Sequence, residues 1–321
     1  MSPTKVPRFV QTGTADSVAD QAAARAALLA EPAVIAPKFF YDTLGSQLFE
    51  AITELPEYYP TRTEAAIFAA HATSMADATG TGMALIDLGA GNCAKAASLF
   101  PLLEPKRYVA VDISVEFLRE ALRRVQREHP QIEMAGLGQD FSAALDIPAD
   151  LVGDARPVFF YPGSSIGNFT PTEALAFLRH VRSRAEGGGL LIGVDLVKPR
   201  DVLEAAYDDA LGVTAAFNLN ALRHLNAVIG SDFAPRQWRH VALFNQVESR
   251  IEMHLEAREA VAVAWPGGKR RFAAGERIHT ENSCKYTVEQ FAALLEAAGF
   301  AAPLHWTDIA GWFAVFWAQA R

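Results

Sequence analysis

The stretch Ala84-Leu85-Ile86-Asp87-Leu88-Gly89-Ala90-Gly91-Asn92-Cys93 constrains the fold of this chain more than any other. It is a short apolar run that stops at two glycines. Neither glycine carries a Cβ, so a ligand can come close to the backbone there. About twenty residues on, Tyr108-Val109-Ala110-Val111-Asp112 is a second apolar run ending in a carboxylate. A glycine turn after one strand and an acid after the next form the nucleotide-binding arrangement of doubly wound α/β folds. Asp112 then accepts from the two ribose hydroxyls, a task that suits an ionised carboxylate.

The details favour one nucleoside over another. A dinucleotide fingerprint asks for a third glycine, which lets the helix pack closely on the strand. Ala94 occupies that position here. Asp87, two residues before the first glycine, suits S-adenosylmethionine better, because the amino-acid end of that molecule carries an ammonium. A plain strand-to-helix turn with no ligand is the alternative reading of the same residues. Gln139-Asp140-Phe141 falls where the third strand should end. There the carboxylate can take the exocyclic amine of adenine while the ring packs on the base; a helix cap at Asp140 reads equally well.

The 321 residues, half of them hydrophobic and 21% charged, suffice for one large domain or for a domain with a second lobe. A net charge of −8 argues against a nucleic-acid partner, which needs a basic face to meet phosphates. Cys93 and Cys284 are too few for a disulfide framework, and a reducing cytoplasm is expected. Cys93 reads as a small space-filler. Residues 1–11 show no leader pattern, and no run of eighteen apolar residues occurs, so a soluble protein with no membrane partner is expected. The eight histidines show no ligand spacing, and no metal is expected.

In chain order, a polar arm precedes an alanine-rich helix near Asp20 to Leu29. An aromatic cluster, 37–42, then leads into a helix with Leu44, Leu48, Ile52 and Leu55 on one face. Leu55-Pro56-Glu57-Tyr58-Tyr59-Pro60 reads as a rigid aromatic loop outside regular helix, followed by a helix over 63–78. From Met83 to Lys198 strands and helices alternate, as in a parallel sheet. Gly163-x-Ser165-x-Gly167 matches the nucleophile elbow of α/β hydrolases. An elbow, however, needs its helix to start at the serine, and the capping box Thr170-Pro171-Thr172-Glu173 places that start later. Beyond Pro199 a helix over 203–225 and an antiparallel meander over 238–279, with a Gly267-Gly268 turn, form a different architecture. A capped helix at 287–297 and two closing strands, 302–307 and 312–316, complete the chain.

With these segments assembled, the chain resembles the histidine Nα-methyltransferases of ergothioneine biosynthesis over roughly Pro37 to Phe316. The residues that carry the resemblance are 40–42, 55–64, Leu88-Gly89-Ala90-Gly91 with Lys95, and Pro162-Gly163-Ser164-Ser165-Ile166-Gly167-Asn168-Phe169. To these are added 206–209, 212–218, Ile251-Glu252-Met253 and Glu281-Asn282-Ser283-Cys284-Lys285. The glycine stretch is generic to methyltransferases. The tyrosine-proline, Ser-Ser-Ile-Gly-Asn-Phe and Glu-x-Ser-Cys-Lys segments are specific to the family.

The resemblance implies an α/β fold: a doubly wound class I methyltransferase sheet with a C-terminal antiparallel hairpin, plus an inserted α+β substrate lobe. The expected boundaries are 1–61, 83–198 and 286–321 for the cofactor domain, and 62–82 with 199–285 for the lobe. It implies that Tyr41, Gly89, Lys95, Asp112, Asp140 and Phe141 contact S-adenosylmethionine. Asn168 and Tyr207 are implied to hold the amino-acid end of L-histidine, with Tyr58, Glu281 and Ser283 around the imidazole. Met253 is expected to floor that pocket. Asn282 stands where relatives often carry an aliphatic residue. Tyr58 and Asn168 are the expected catalytic residues, Tyr58 through positioning more than proton transfer. The implied reaction is trimethylation of the α-amine to hercynine by a cytoplasmic monomer. Another amino-acid substrate, or binding without turnover, is the alternative.

Overall fold

The computed structural model describes residues 6–12, 18–142 and 145–320. The chain divides into two units: Met1–Gly13, Pro60–Val197 and Lys285–Arg321 in unit 1, Thr14–Tyr59 and Lys198–Cys284 in unit 2. In chain order the described strands are β1 (Arg8–Gln11), β2 (Ala33–Val34), β3 (Ala84–Leu88), β4 (Arg107–Asp112), β5 (Glu133–Gly138), β6 (Pro157–Tyr161) and β7 (Gly189–Asp195). They continue with β8 (Trp238–Asn245), β9 (Arg250–Ala257), β10 (Val261–Trp265), β11 (Gly268–Phe272), β12 (Arg277–Cys284), β13 (Leu304–Thr307) and β14 (Phe313–Gln319). The helices are α1 (Val18–Leu29), α2 (Thr43–Thr53), α3 (Tyr59–Thr79), α4 (Ala94–Leu103), α5 (Val115–Glu128), α6 (Ala149–Val152), α7 (Pro171–Arg184), α8 (Arg200–Tyr207), α9 (Val213–Ile229) and α10 (Val288–Ala297).

Unit 1 is built on one sheet in the order β1-β5-β4-β3-β6-β7-β14-β13. Its strands run parallel from β1 through β7, and β14 enters antiparallel between β7 and β13. All five residues of β3 and all seven of β7 are buried, the continuous apolar reading of strands covered on both faces. Strand order reverses between β3 and β6, which puts the switch point of the sheet at the glycine turn after β3. The parallel sheet and the closing antiparallel hairpin match the fold class read from the sequence. The edge strand β1 was not anticipated. A four-residue run inside a polar arm has no periodicity of its own, and it becomes a strand only by pairing with β5.

Unit 2 holds the sheet β2-β12-β9-β8 and the separate hairpin β10-β11. The meander is therefore interrupted: β12 returns past the hairpin to pair with β9. The single helix anticipated over 203–225 is two. Gly212 adopts φ +74°, a left-handed conformation that breaks the run, and the Asp209 carboxylate accepts the Val213 and Thr214 N–H groups at 2.9 and 2.7 Å to start α9. Tyr59 and Pro60 are helical, contrary to the loop reading of 55–60. Proline in the first turn surrenders only an N–H that has no helical partner anyway.

Two segments change sides relative to the sequence reading. Residues 62–82 belong to unit 1, because Ile67, Phe68 and Met75 of α3 are part of the core against the parallel sheet. Residues 14–59 belong to unit 2. Phe40 packs on Phe217 with ring centroids 4.7 Å apart, and the Asn220 amide donates to Asp42 at 2.7 Å. Hydrophobic periodicity reveals that a helix has a buried face, not which core receives it.

Candidate active site

In unit 1 the turn after β3 is closed by the Gly89 and Ala90 N–H groups, which both donate to the Val111 carbonyl. Gly89 and Gly91 have φ of +71° and +52°, which L side chains rarely adopt. A Cβ on Gly89 would come 3.7 Å from the ring of Phe141, so these two expected cofactor residues are brought together. Asp112 ends β4 half-buried. One oxygen accepts the Gly91 N–H and the other the Ser114 N–H, both at 2.8 Å. Burial holds its carboxyl above the ordinary range, an effect moderated by those N–H groups. Each oxygen keeps a further lone pair for a ligand hydroxyl. Asp140 forms a local turn, its carboxylate accepting the Ser142 N–H at 3.1 Å, rather than the helix cap considered from the sequence.

Asp87 is buried. One oxygen accepts the Tyr108 hydroxyl at 2.6 Å, and the other has no partner among the described residues. Burial pushes its carboxyl up to about 7. Buried polar atoms are normally satisfied, and a cationic ligand group would satisfy this one. The exposed-backbone glycines, the ribose-ready Asp112 and the orphaned Asp87 oxygen together fit a nucleoside that carries an ammonium. Cys93 is buried beside this turn with its thiol pushed up to about 12 by burial, which leaves it an inert space-filler.

Lys95 makes an ion pair with Glu64 at 2.6 Å. Glu64 also accepts the Gly163 N–H at 2.8 Å and is fully buried on α3. It thereby ties α3 to the first turn of α4 and to the loop after β6. The sequence reading gave Glu64 no role, since nothing local marks a helical glutamate as buried. In that loop Ser164 has φ +59°, and its hydroxyl accepts the Asp195 N–H at 2.8 Å. Ser165 opens a short 3₁₀ turn ending at Asn168, and the long helix begins only at Pro171, capped by Thr170 with both capping-box bonds formed. The hydrolase elbow is therefore absent. Asp195 also pairs with Lys285 at 2.7 Å, both fully buried.

Unit 2 holds the remaining expected residues. Tyr41 is half-buried, edge-on to Phe49 and Phe217. Tyr58 and Tyr207 are buried edge-to-face at 6.2 Å, and the Tyr207 hydroxyl shares a 2.7 Å hydrogen bond with Ser283. Met253 on β9 is paired directly with Glu281 on β12, and Ile251 with Ser283. Glu281 and Ser283 are two apart in a strand and share one face. Asn282 does not share it. It points to the opposite face, where its oxygen accepts from His279 Nε2 at 2.9 Å, so the structure does not bring it together with Glu281 and Ser283. The pairing also shifts between His279 and Glu281. In this bulge the buried Thr280 hydroxyl donates to the Met253 carbonyl at 3.0 Å.

The fold and the glycine–acid turn define a class I S-adenosylmethionine-dependent methyltransferase. A family model described as histidine-specific methyltransferase, SAM-dependent, matches residues 20–320. The histidine N-alpha-methyltransferase of Mycolicibacterium smegmatis is 42% identical over 297 residues, spanning 90% of this chain and 91% of that protein. The protein of the same name from Mycobacterium tuberculosis is 39% identical over 289 residues, 88% and 89% of the two chains. Among solved structures, a magnesium protoporphyrin IX methyltransferase from Synechocystis with bound SAH is 13% identical. It covers 88% of this chain and 96% of its own with a TM-score of 0.45. The chain belongs to the histidine-specific, S-adenosylmethionine-dependent methyltransferase family.

Proposed function

We propose that this protein methylates the α-amino group of L-histidine three times to give hercynine, a step of ergothioneine biosynthesis, as a cytoplasmic monomer. The observation that carries the substrate assignment is the face of β12 in unit 2. A buried carboxylate, Glu281, lies two residues from a buried hydroxyl, Ser283, which is itself bonded to Tyr207. A carboxylate and a hydroxyl at this spacing suit the two ring nitrogens of an imidazole, one as donor to Glu281 and one as partner of Ser283. Met253, opposite Glu281, supplies an apolar wall of adaptable shape.

S-adenosylmethionine, when bound, supplies an electrophilic methyl on a sulfonium centre. In unit 1, Gly89, Asp112, Asp140 and Phe141 hold the nucleoside, while Lys95 is kept in place by Glu64. Asn168 offers an amide to the amino-acid carboxylate. In this reading Tyr207 holds the amino-acid end of histidine and Tyr41 packs against the cofactor. Tyr58, buried edge-to-face against Tyr207, packs beside the imidazole and helps set the substrate's orientation, a positioning role. Positioning is therefore the larger part of catalysis.

Incubating the purified protein with S-adenosylmethionine and each common amino acid, with mass detection of products, tests the reading. The expected result is trimethylated histidine as the dominant product. Turnover of another amino acid with histidine untouched would overturn it.

A further inference from the structure

We propose that His240 is a positioning residue for substrate recognition: from the interior of unit 2 it fixes Tyr207, and through Tyr207 the hydroxyl of Ser283. The inference rests on the reading above that Tyr207 and Ser283 hold the amino-acid substrate. His240 lies on β8 with its side chain almost fully buried, and it touches neither expected ligand-holding hydroxyl. Its Nε2 is 2.7 Å from the Tyr207 carbonyl and its Nδ1 is 2.8 Å from the Asn218 amide nitrogen. A carbonyl only accepts, so Nε2 carries the proton. In the neutral ring Nδ1 is then the acceptor, and the Asn218 N–H₂ fills it. The second hydrogen of that amide goes to the His254 carbonyl at 3.1 Å, so the orientation of Asn218 is fixed as well.

The placement explains why such a group is needed. Tyr207 is the last residue of α8, at the end of the helical hydrogen-bond ladder. The turn beyond it, Asp208 to Gly212, leads directly into α9. His240 supplies a donor from a strand, and Asn218, fully buried on α9, holds His240 in register. One chain of hydrogen bonds thus runs from α9 through β8 to the end of α8, and by the Tyr207 hydroxyl to β12, 2.7 Å away. Asp208 Oδ1 stands 4.0 Å from Nε2, and the negative charges of Asp208 and Asp209 both favour protonation of the ring. Burial outweighs them and lowers its pKa, which favours the neutral ring that this network requires. No sequence signal marks His240, because neither neighbour in the network is near it along the chain.

The test is equilibrium binding of L-histidine in the presence of S-adenosylhomocysteine, measured for wild type, His240→Phe, His240→Gln and Asn218→Ala. His240→Phe and Asn218→Ala should each weaken histidine binding by about tenfold while S-adenosylhomocysteine binds as before. His240→Gln, whose amide can donate to Tyr207 and accept from Asn218, should recover histidine affinity to within a few-fold. Nitrogen-15 NMR of wild type should show His240 as the neutral tautomer protonated on Nε2. Unchanged histidine affinity in a folded His240→Phe protein would overturn the proposal, as would equal losses in the Phe and Gln variants or a different tautomer. Should wild type bind no histidine at all, the substrate reading fails, and the tautomer still decides whether His240 holds Tyr207.

Discussion

Asp112 tests the cofactor assignment with one atom group. Asp112→Ala should weaken S-adenosylmethionine and S-adenosylhomocysteine alike, by about 1.5–3 kcal/mol, the usual worth of a hydrogen bond to a charged acceptor. Calorimetry giving unchanged affinity for either would remove Asp112 from the ribose. Glu281 is the matching test for substrate choice. Its carboxylate is not needed to cap α10, because Thr287 and Gln290 already form both bonds of a capping box. Glu281→Ala should cost histidine affinity about tenfold to a hundredfold and spare cofactor binding, since an imidazole N–H would be left without an acceptor. A variant that methylates histidine with wild-type kinetics would show that another group selects the ring. These two residues were legible in the sequence for different reasons. Asp112 announces itself by strand, spacing and acid type, whereas Glu281 stood out only within a segment resembling a known family. Glu64 and His240 stayed hidden, because their partners lie 31 to 99 and 22 to 33 residues away along the chain.

Within the elements, small residues decide where large ones can go. Gly193 of β7 lies under Glu64: a Cβ there would stand 2.0 Å from Glu64 Oε1, the same oxygen that accepts the Gly163 N–H. Gly193→Ala must displace a fully buried carboxylate from its two partners. Leaving such a charge unpaired costs about 3–5 kcal/mol. Chemical denaturation should therefore show a loss of that order, and Gly193→Ala with Glu64→Gln should recover part of it. Wild-type stability in Gly193→Ala would mean that Glu64 relaxes freely. The same logic explains what the sequence hid at this scale. Strand parity turns Asn282 away from Glu281 and Ser283, yet a run of polar residues carries no mark of which face each takes. Likewise the bulge at Thr280 is invisible along the chain, since it exists only as a mismatch with β9. Parallel strands were easier to place. Five or more buried residues in a row, closed by a glycine or an acid, have few other interpretations.

Over the whole molecule, the pKa shifts of the two units point to opposite responses to pH. In unit 2 burial lowers the pKa of His240, His254 and His279, favouring the neutral rings. A histidine with a depressed folded value contributes stability that is present above its ordinary value near 6.5 and is lost as pH falls through the folded one. Glu256, held low by hydrogen bonds from Arg239 and Arg277, loses its contribution in stronger acid and so acts in the same direction. In unit 1 burial raises Asp87 to about 7 and raises Asp112 as well. A raised carboxyl is fully stabilising below its ordinary value near 4, and that stability is lost as pH rises through the folded value. The exposed pair Asp150–Arg8 opposes this only weakly, because solvent and salt screen it. Acidifying the ligand-free protein from about pH 8 to about pH 5.5 should therefore loosen β8, β9 and β12 while tightening β3 and β4. Hydrogen exchange, corrected for its intrinsic pH dependence, reads both changes in one experiment. Asp87→Asn should abolish most of the gain in β3 and β4 and leave the loss in unit 2 untouched. A uniform loss of protection across both sheets would show that the buried carboxylates are already paired at neutral pH.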